Sequence, residues 1–364
     1  MRERERGNRG VNDTGNTPLL FGKILWENTQ VPSVWQASAG LADAYPGAMS
    51  HTPLMLSALA TSAVPGLQVV SAQQLSLGQR NAALVHDVHG NAFVVSLSSS
   101  DAEEAVVKER ISAAQALTEG LRSRMPFQVP RVVGTLDVQG RTLSVSDYLP
   151  GQSPLAKNLT PEFATSMGQA LAAIHQLPTA TLIDHQRVVN SALDSLREAA
   201  GIVDRTAATG LLPQSLLRRW ETACEDRALW QFEATTIHGR MGLGRFLAGD
   251  NRVLGVTGWR TFRVGDPALD MAWLSTPSAQ GFSAPTVTAY HSARNHADRH
   301  IMQRARFWAE LDVAKWLLHG LDLGNDTITQ DATEMLVALN DRVSGDLDQA
   351  LTQPISQAQH PLAQ

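Results

Sequence analysis

The apolar residues of this chain change their spacing once, near Gly151, and that change limits the folds open to it. Before it they fall in short β-rich runs, at 67–72, 82–88, 92–97, 129–137 and 142–148. His89-Gly90-Asn91 and Gln139-Gly140 supply the turn chemistry of two hairpins. Between the third and fourth runs, Asp101 reads as the N-cap of a long helix carrying Ala105, Val106, Ile111, Ala114 and Leu117. After Gly151 the apolar residues recur at helical spacing over 161–176, 191–199, 214–230, 297–319 and 330–350, with one β-rich island at 235–259. The expected class is α+β: a small antiparallel sheet with one long helix, followed by a mainly helical lobe.

Residues 1–48 hold no period of either kind, and Ser50-His51-Thr52-Pro53 then opens a capped helix. The expected division is an extension over 1–48, disordered or loosely docked or preceding a natural start at Met49, a first lobe over 49–150, a helical lobe over 151–351 and a disordered tail over 352–364.

Composition removes several classes of function. The net charge of −5 over 364 residues provides no basic field for nucleic acid. A single cysteine, Cys224, allows no intrachain disulfide and no multi-cysteine zinc site, which suits a reducing cytoplasm. No apolar run approaches the roughly 20 residues of a membrane-spanning helix, and no signal-peptide core follows the charged start. The expected partner is a small molecule or a protein, with no nucleic acid and no membrane.

Three stretches share an order. His238-Gly239-Arg240 is followed by Arg245, a hydrophobic hairpin, Gly258-Trp259 and Gly265-Asp266-Pro267-Ala268-Leu269-Asp270. This resembles the catalytic segment of aminoglycoside and macrolide phosphotransferases, whose pattern runs His-Gly-Asp, four residues, Asn, a hairpin, Asp-Trp and Gly-Asp-Pro-Ala-x-Asp. Tyr148-Leu149-Pro150-Gly151 is similar to the family's hinge between lobes, and Leu171-Ala172-Ala173-Ile174-His175 to the helix after it. The likeness covers about residues 50 to 345 and implies a bilobal, protein-kinase-like fold.

Four positions depart from that pattern. The resemblance implies a carboxylate after His-Gly to orient the substrate hydroxyl, an Asn and a second Asp to hold magnesium, and an upper-lobe cation. Arg240, Arg245, Gly258 and Ser96 stand there instead, while the cation's helix partner survives as Glu109. A guanidinium offers a metal no oxygen and adds charge that repels it. The resemblance therefore leaves no catalytic residue in place. It makes Glu109, Tyr148, Arg240, Arg245 and Asp266 the cofactor-facing candidates, with ATP or another nucleotide as the ligand and no magnesium.

Two readings of the arginines stand side by side. They replace magnesium as the neutralising charge for a bound anion, or they reach solvent or pair with Glu109, Asp250 or Asp266 and close the cleft. Asp266 is either a substitute metal ligand or a backbone-binding group at the turn begun by Pro267; Asp270 and His238 read as structural. His296 and His300, four apart, have metal-ligand spacing but lack a third ligand motif. Leu77-Gly78-Gln79-Arg80-Asn81 occupies the place of a phosphate-covering loop with one glycine, and residues 304–316 read as core of the helical lobe. Three functions remain open: a catalytically impaired binder of a small molecule, nucleotide or protein; an active small-molecule kinase with relocated groups; and an interaction module with a closed cleft.

Overall fold

The computed structural model of the protein describes residues 52–77, 80–294, 298–344 and 351. The expectations for 1–48, Met49, the Gly78-Gln79 turn, His296 and 352–364 lie outside the described residues.

Helix α1 (Pro53–Ala63) begins where Thr52 accepts a hydrogen bond from Met55 N and Pro53 fills the first turn. Strands β1 (Val69–Leu77), β2 (Arg80–Asp87), β3 (Ala92–Leu97), β4 (Val132–Val138) and β5 (Arg141–Asp147) form one antiparallel sheet in the order β1-β2-β3-β5-β4. The two-residue alternation sorts its faces. Ala83, Val85, Val95, Leu143 and Val145 pack with Leu56 and Ala60 of α1. Ser96 and Ser144 point to the other side, paired across β3 and β5.

Helix α2 (Asp101–Ala116) lies on that other side. Its cap is Ser100, not Asp101: the Ser100 hydroxyl accepts from Glu103 N at 3.2 Å, and Asp101 reaches out to Arg141. An extended residue just before the helix presents its oxygen to the free N–H groups better than the first helical residue can. Glu104 ties the helix to the sheet by accepting from Thr142 N, Thr142 Oγ1 and Ser98 Oγ.

A short helix α3 (Glu119–Arg122) precedes β4, and beyond β5 the chain is mainly helical: α4 (Pro161–His175), α5 (Ala180–Asp184), α6 (Ala192–Ala208), α7 (Gln214–Glu225), α8 (Ser283–Ala293), α9 (Ile301–Asp322) and α10 (Asp326–Val343). The strand island is β6 (Thr235–Ile237), β7 (Phe246–Gly249), β8 (Arg252–Val256) and β9 (Arg263–Gly265), paired β6 with β9 and β7 with β8. Four elements, α3, α5, α8 and β9, were not expected. Ala113, Ala116 and Leu117 at the end of α2 belong to the large core of the helical lobe, not to the core under the sheet. The lobes are also stitched through backbone, with Gln128 N donating to Leu254 O at 2.8 Å and Val256 N to Gln128 O at 2.9 Å.

Candidate functional site

Strand β6 delivers His238 into a loop that a single acid holds in place. Asp270 accepts from His238 N and Gly239 N, both at 2.7 Å, and its Oδ2 also meets His175 Nε2 at 3.2 Å. His175 in turn uses Nδ1 to meet the Tyr290 hydroxyl at 2.9 Å. Burial alone would push the Asp270 carboxyl up, but the hydrogen bond and charge from His175, together with His238, hold it below the usual carboxylate range. Gly239 has φ +81°, and a Cβ there would strike the Thr261 carbonyl, so the loop requires glycine at that point.

His238 is fully buried, and burial lowers its pKa, leaving a neutral ring. Its Nε2 faces the Thr257 carbonyl at 2.9 Å, an acceptor, so the proton sits on Nε2. Nδ1 is then the bare nitrogen, and it has no hydrogen-bond partner.

Arg240 follows in half-buried surroundings. Burial first, then the positive charges of Arg260 and Arg245, push its guanidinium pKa down to about 10, against the opposing charge of Asp312. Arg245 closes a 3-10 turn (Leu243–Arg245) whose last carbonyl accepts from Thr257 N at 2.9 Å. Gly258 has φ +87°, and a Cβ there would lie 2.8 Å from Arg245 Nη1 and 2.9 Å from Cδ. The Arg245 side chain thus lies against the space that a side chain at 258 would need. These two departures from the family pattern are one arrangement.

In the upper lobe, Ser96 is buried with its hydroxyl 3.1 Å from that of Ser144. Glu109 reaches Arg260 Nη1 at 2.7 Å, across from α2 to the 3-10 turn Trp259–Thr261. Arg187 binds the same segment, donating to Arg260 O at 2.7 Å, Phe262 O at 2.9 Å and Ser112 Oγ of α2 at 3.4 Å. Neither Arg260 nor Arg187 was singled out from the sequence. Arg260 stands two residues after Gly258, so tracing the altered Asp-Trp position a little further would have found it.

Tyr148 follows β5, its backbone N–H donating to Ala92 O at 3.0 Å. Asp266 is fully buried: Arg304 Nε and Nη2 bind its two oxygens at 2.9 and 3.0 Å, Trp308 Nε1 adds a bond at 2.9 Å, and Ala268 N caps onto Oδ1. That is the geometry of a buried ion pair at the turn begun by Pro267. His300 bonds Gln303 through Nδ1 at 3.0 Å.

Magnesium takes oxygen ligands, and the side chains at 240, 245 and 258 supply none, so these residues do not fit that ion. Among the described residues no group of three or more His, Cys, Asp or Glu side chains gathers as a metal site would. Guanidinium groups in this arrangement fit an anion. Among the described residues no helix is long and apolar enough to cross a membrane.

Comparison with solved structures returns macrolide and aminoglycoside kinases. The apoenzyme of macrolide 2'-phosphotransferase MphH from Brachybacterium faecium superposes with a TM-score of 0.66 at 19% identity, covering 78% of this chain and 97% of that one. A type I macrolide 2'-phosphotransferase gives 0.62 at 22% identity, covering 78% and 96%. The GDP complex of an aminoglycoside 2'-phosphotransferase-IIIa mutant gives 0.65 at 16% identity, covering 82% and 100%. No curated protein sequence matches significantly. The sequence model of the phosphotransferase enzyme family (APH) matches residues 71–308, which is more than half of the protein, and the chain belongs to that family.

Proposed function

We propose that this family member no longer transfers phosphate and instead uses its arginine-lined cleft to bind a nucleotide, or a related phosphate-bearing ligand, without magnesium. The observation that carries the reading is Arg240, a half-buried guanidinium set in the positive fields of Arg245 and Arg260 where the family places a base and a metal ligand. Clustered like charges are unfavourable by themselves, and a polyanion that accepts their hydrogen bonds relieves the repulsion. Structural neighbours crystallised with GDP, with ADP and with ATP support a nucleotide as the ligand class. Transfer, by contrast, relies on charge neutralisation and positioning that Arg240, Arg245 and Gly258 do not provide.

Calorimetry with ATP, ADP and inorganic phosphate, each with chelator and with magnesium, tests this. Binding should appear in chelator and weaken with salt, with no ATP turnover above a buffer control. A ligand at 100 times its dissociation constant should also stabilise the fold by about 2.7 kcal/mol. The double variant Arg240→Ala with Arg245→Ala should lose binding and keep its fold. Magnesium-dependent turnover would instead support an active kinase with relocated groups.

A further inference from the structure

We infer that Arg260 is the third guanidinium of this anion site and that Glu109 competes with the ligand for it, so that ligand binding and loss of the Arg260 tie to the middle of helix α2 are one event. The inference rests on reading the cleft as an anion site. Its geometric basis is the contact between the two arginine-bearing loops. Thr261 donates from Oγ1 to the His238 carbonyl at 3.0 Å, and its own carbonyl abuts Gly239 where a Cβ would stand. Arg240 and Arg260 are the next residues out from that contact. Arg245, lying against Gly258, enters from the other side of the same turn.

Glu109 holds Arg260 by a contact of 2.7 Å in which its carboxylate is 47% exposed and the arginine side chain 21% exposed. A partly exposed pair of this kind adds little net stability, so a phosphate that accepts a forked, charge-assisted pair of bonds can displace it. Arg187 decides which part moves. It grips the carbonyls of Arg260 and Phe262, so the backbone stays while the Arg260 side chain exchanges one acceptor for another. Once Glu109 is let go, Arg187 still donates to Ser112 Oγ of α2 at 3.4 Å, so the loss of order is confined to the turn of α2 around Glu109.

The test uses the full chain, with ATP and inorganic triphosphate in chelator as probes. Glu109→Gln removes the competitor and should tighten both probes roughly fivefold or more, the scale of an ordinary coupling between sites. Arg260→Ala should weaken binding and erase the gain when combined with Glu109→Gln. In the parent, ATP should speed amide hydrogen exchange in α2 while the rest of the fold is unchanged. Binding by Glu109→Gln alone would support the inference most directly. Equal affinity in parent and Glu109→Gln, with α2 exchange unaltered, would overturn it and leave the anion site standing. Binding by neither protein would remove the anion site and the inference together.

Discussion

Two neighbouring segments carry residues at positions the family fills with acids or an amide, and they have been treated in opposite ways. In Gly265–Asp270 both acids are present, fully buried and saturated with hydrogen bonds: Asp266 on Arg304 and Trp308, Asp270 on the His238 loop and His175. Over Arg240–Gly258 the expected oxygens have given way to two guanidinium groups and a glycine, gathered in one another's fields. The first set supports the loop on which chemistry would sit; the second occupies the positions where the family's pattern puts that chemistry. A fold keeps its scaffold acids because losing them strands buried partners.

The largest expected effect comes from attacking the scaffold. Asp266→Ala leaves Arg304, which is fully buried, with Asp298 alone as its acidic partner. Breaking a buried pair costs about 3–5 kcal/mol, which for a chain of this size lowers Tm by roughly four to eight degrees. Arg240→Ala, at a half-buried position, should cost about 1 kcal/mol or less. Thermal melts of the two variants side by side decide it. The comparison breaks if Arg240→Ala falls as far as Asp266→Ala.

A smaller effect separates two acids on α2. Glu104 is held mainly by neutral donors, Ser98 first and then Thr142, with Lys108 beside it at 3.1 Å, and together they lower its carboxyl pKa to about 2, whereas Glu109 is held by Arg260. A folded pKa below the ordinary 4.5 means that the ionised form stabilises the fold. That contribution is complete above about pH 5 and fades as pH falls toward 2. Glu104→Gln should therefore melt roughly two to four degrees below the parent at pH 7. The gap should narrow steadily between pH 5 and pH 3. A gap independent of pH would assign the loss to packing and not to charge.

Much of the scaffold was legible in the sequence because patterning and burial share one cause. The hairpin β2–β3 and helices α4 and α6 follow from two-residue and 3.6-residue apolar spacing, since one face of each must be dry. Helix α8 was missed because it has no apolar stripe: its buried residues are Thr286 and Tyr290, packed where Gly168 lets α4 approach its backbone. The reading of 304–316 as core held for Phe307, Leu311, Ala314 and Trp316, but nothing in local sequence says that Arg304 is buried with them. Its partner Asp266 lies 38 residues away, and charge pairing at that distance leaves no periodic trace. The same limit hid the pairing of Arg260 with Glu109 in the other lobe, although the position of Arg260 two residues after Gly258 was open to the motif. Motif order was enough to place Arg240, Arg245 and Gly258 together, because those spacings belong to one loop and hairpin.

The smallest expected effect probes whether Arg245 and Gly258 are matched. Gly258→Ala places a Cβ at φ +87° and within 3 Å of the Arg245 side chain, two separate penalties. Left-handed strain contributes about 1–2 kcal/mol for a residue without a local hydrogen bond to offset it. The clash adds less, because the guanidinium end can swing, though Cδ is nearer the backbone and yields less freely. In an Arg245→Asn background the strain remains and the clash goes, so Gly258→Ala should be milder there by about 0.5–1 kcal/mol, a coupling typical of residues in contact. Denaturant melts of the parent, both single variants and the double variant close the cycle. Strict additivity would mean that Arg245 does not lie over Gly258 in solution. The cleft would then lose the feature that distinguishes a rebuilt site from two unrelated substitutions, and the contrast with the Asp266 and Asp270 segment would rest on Arg240 alone.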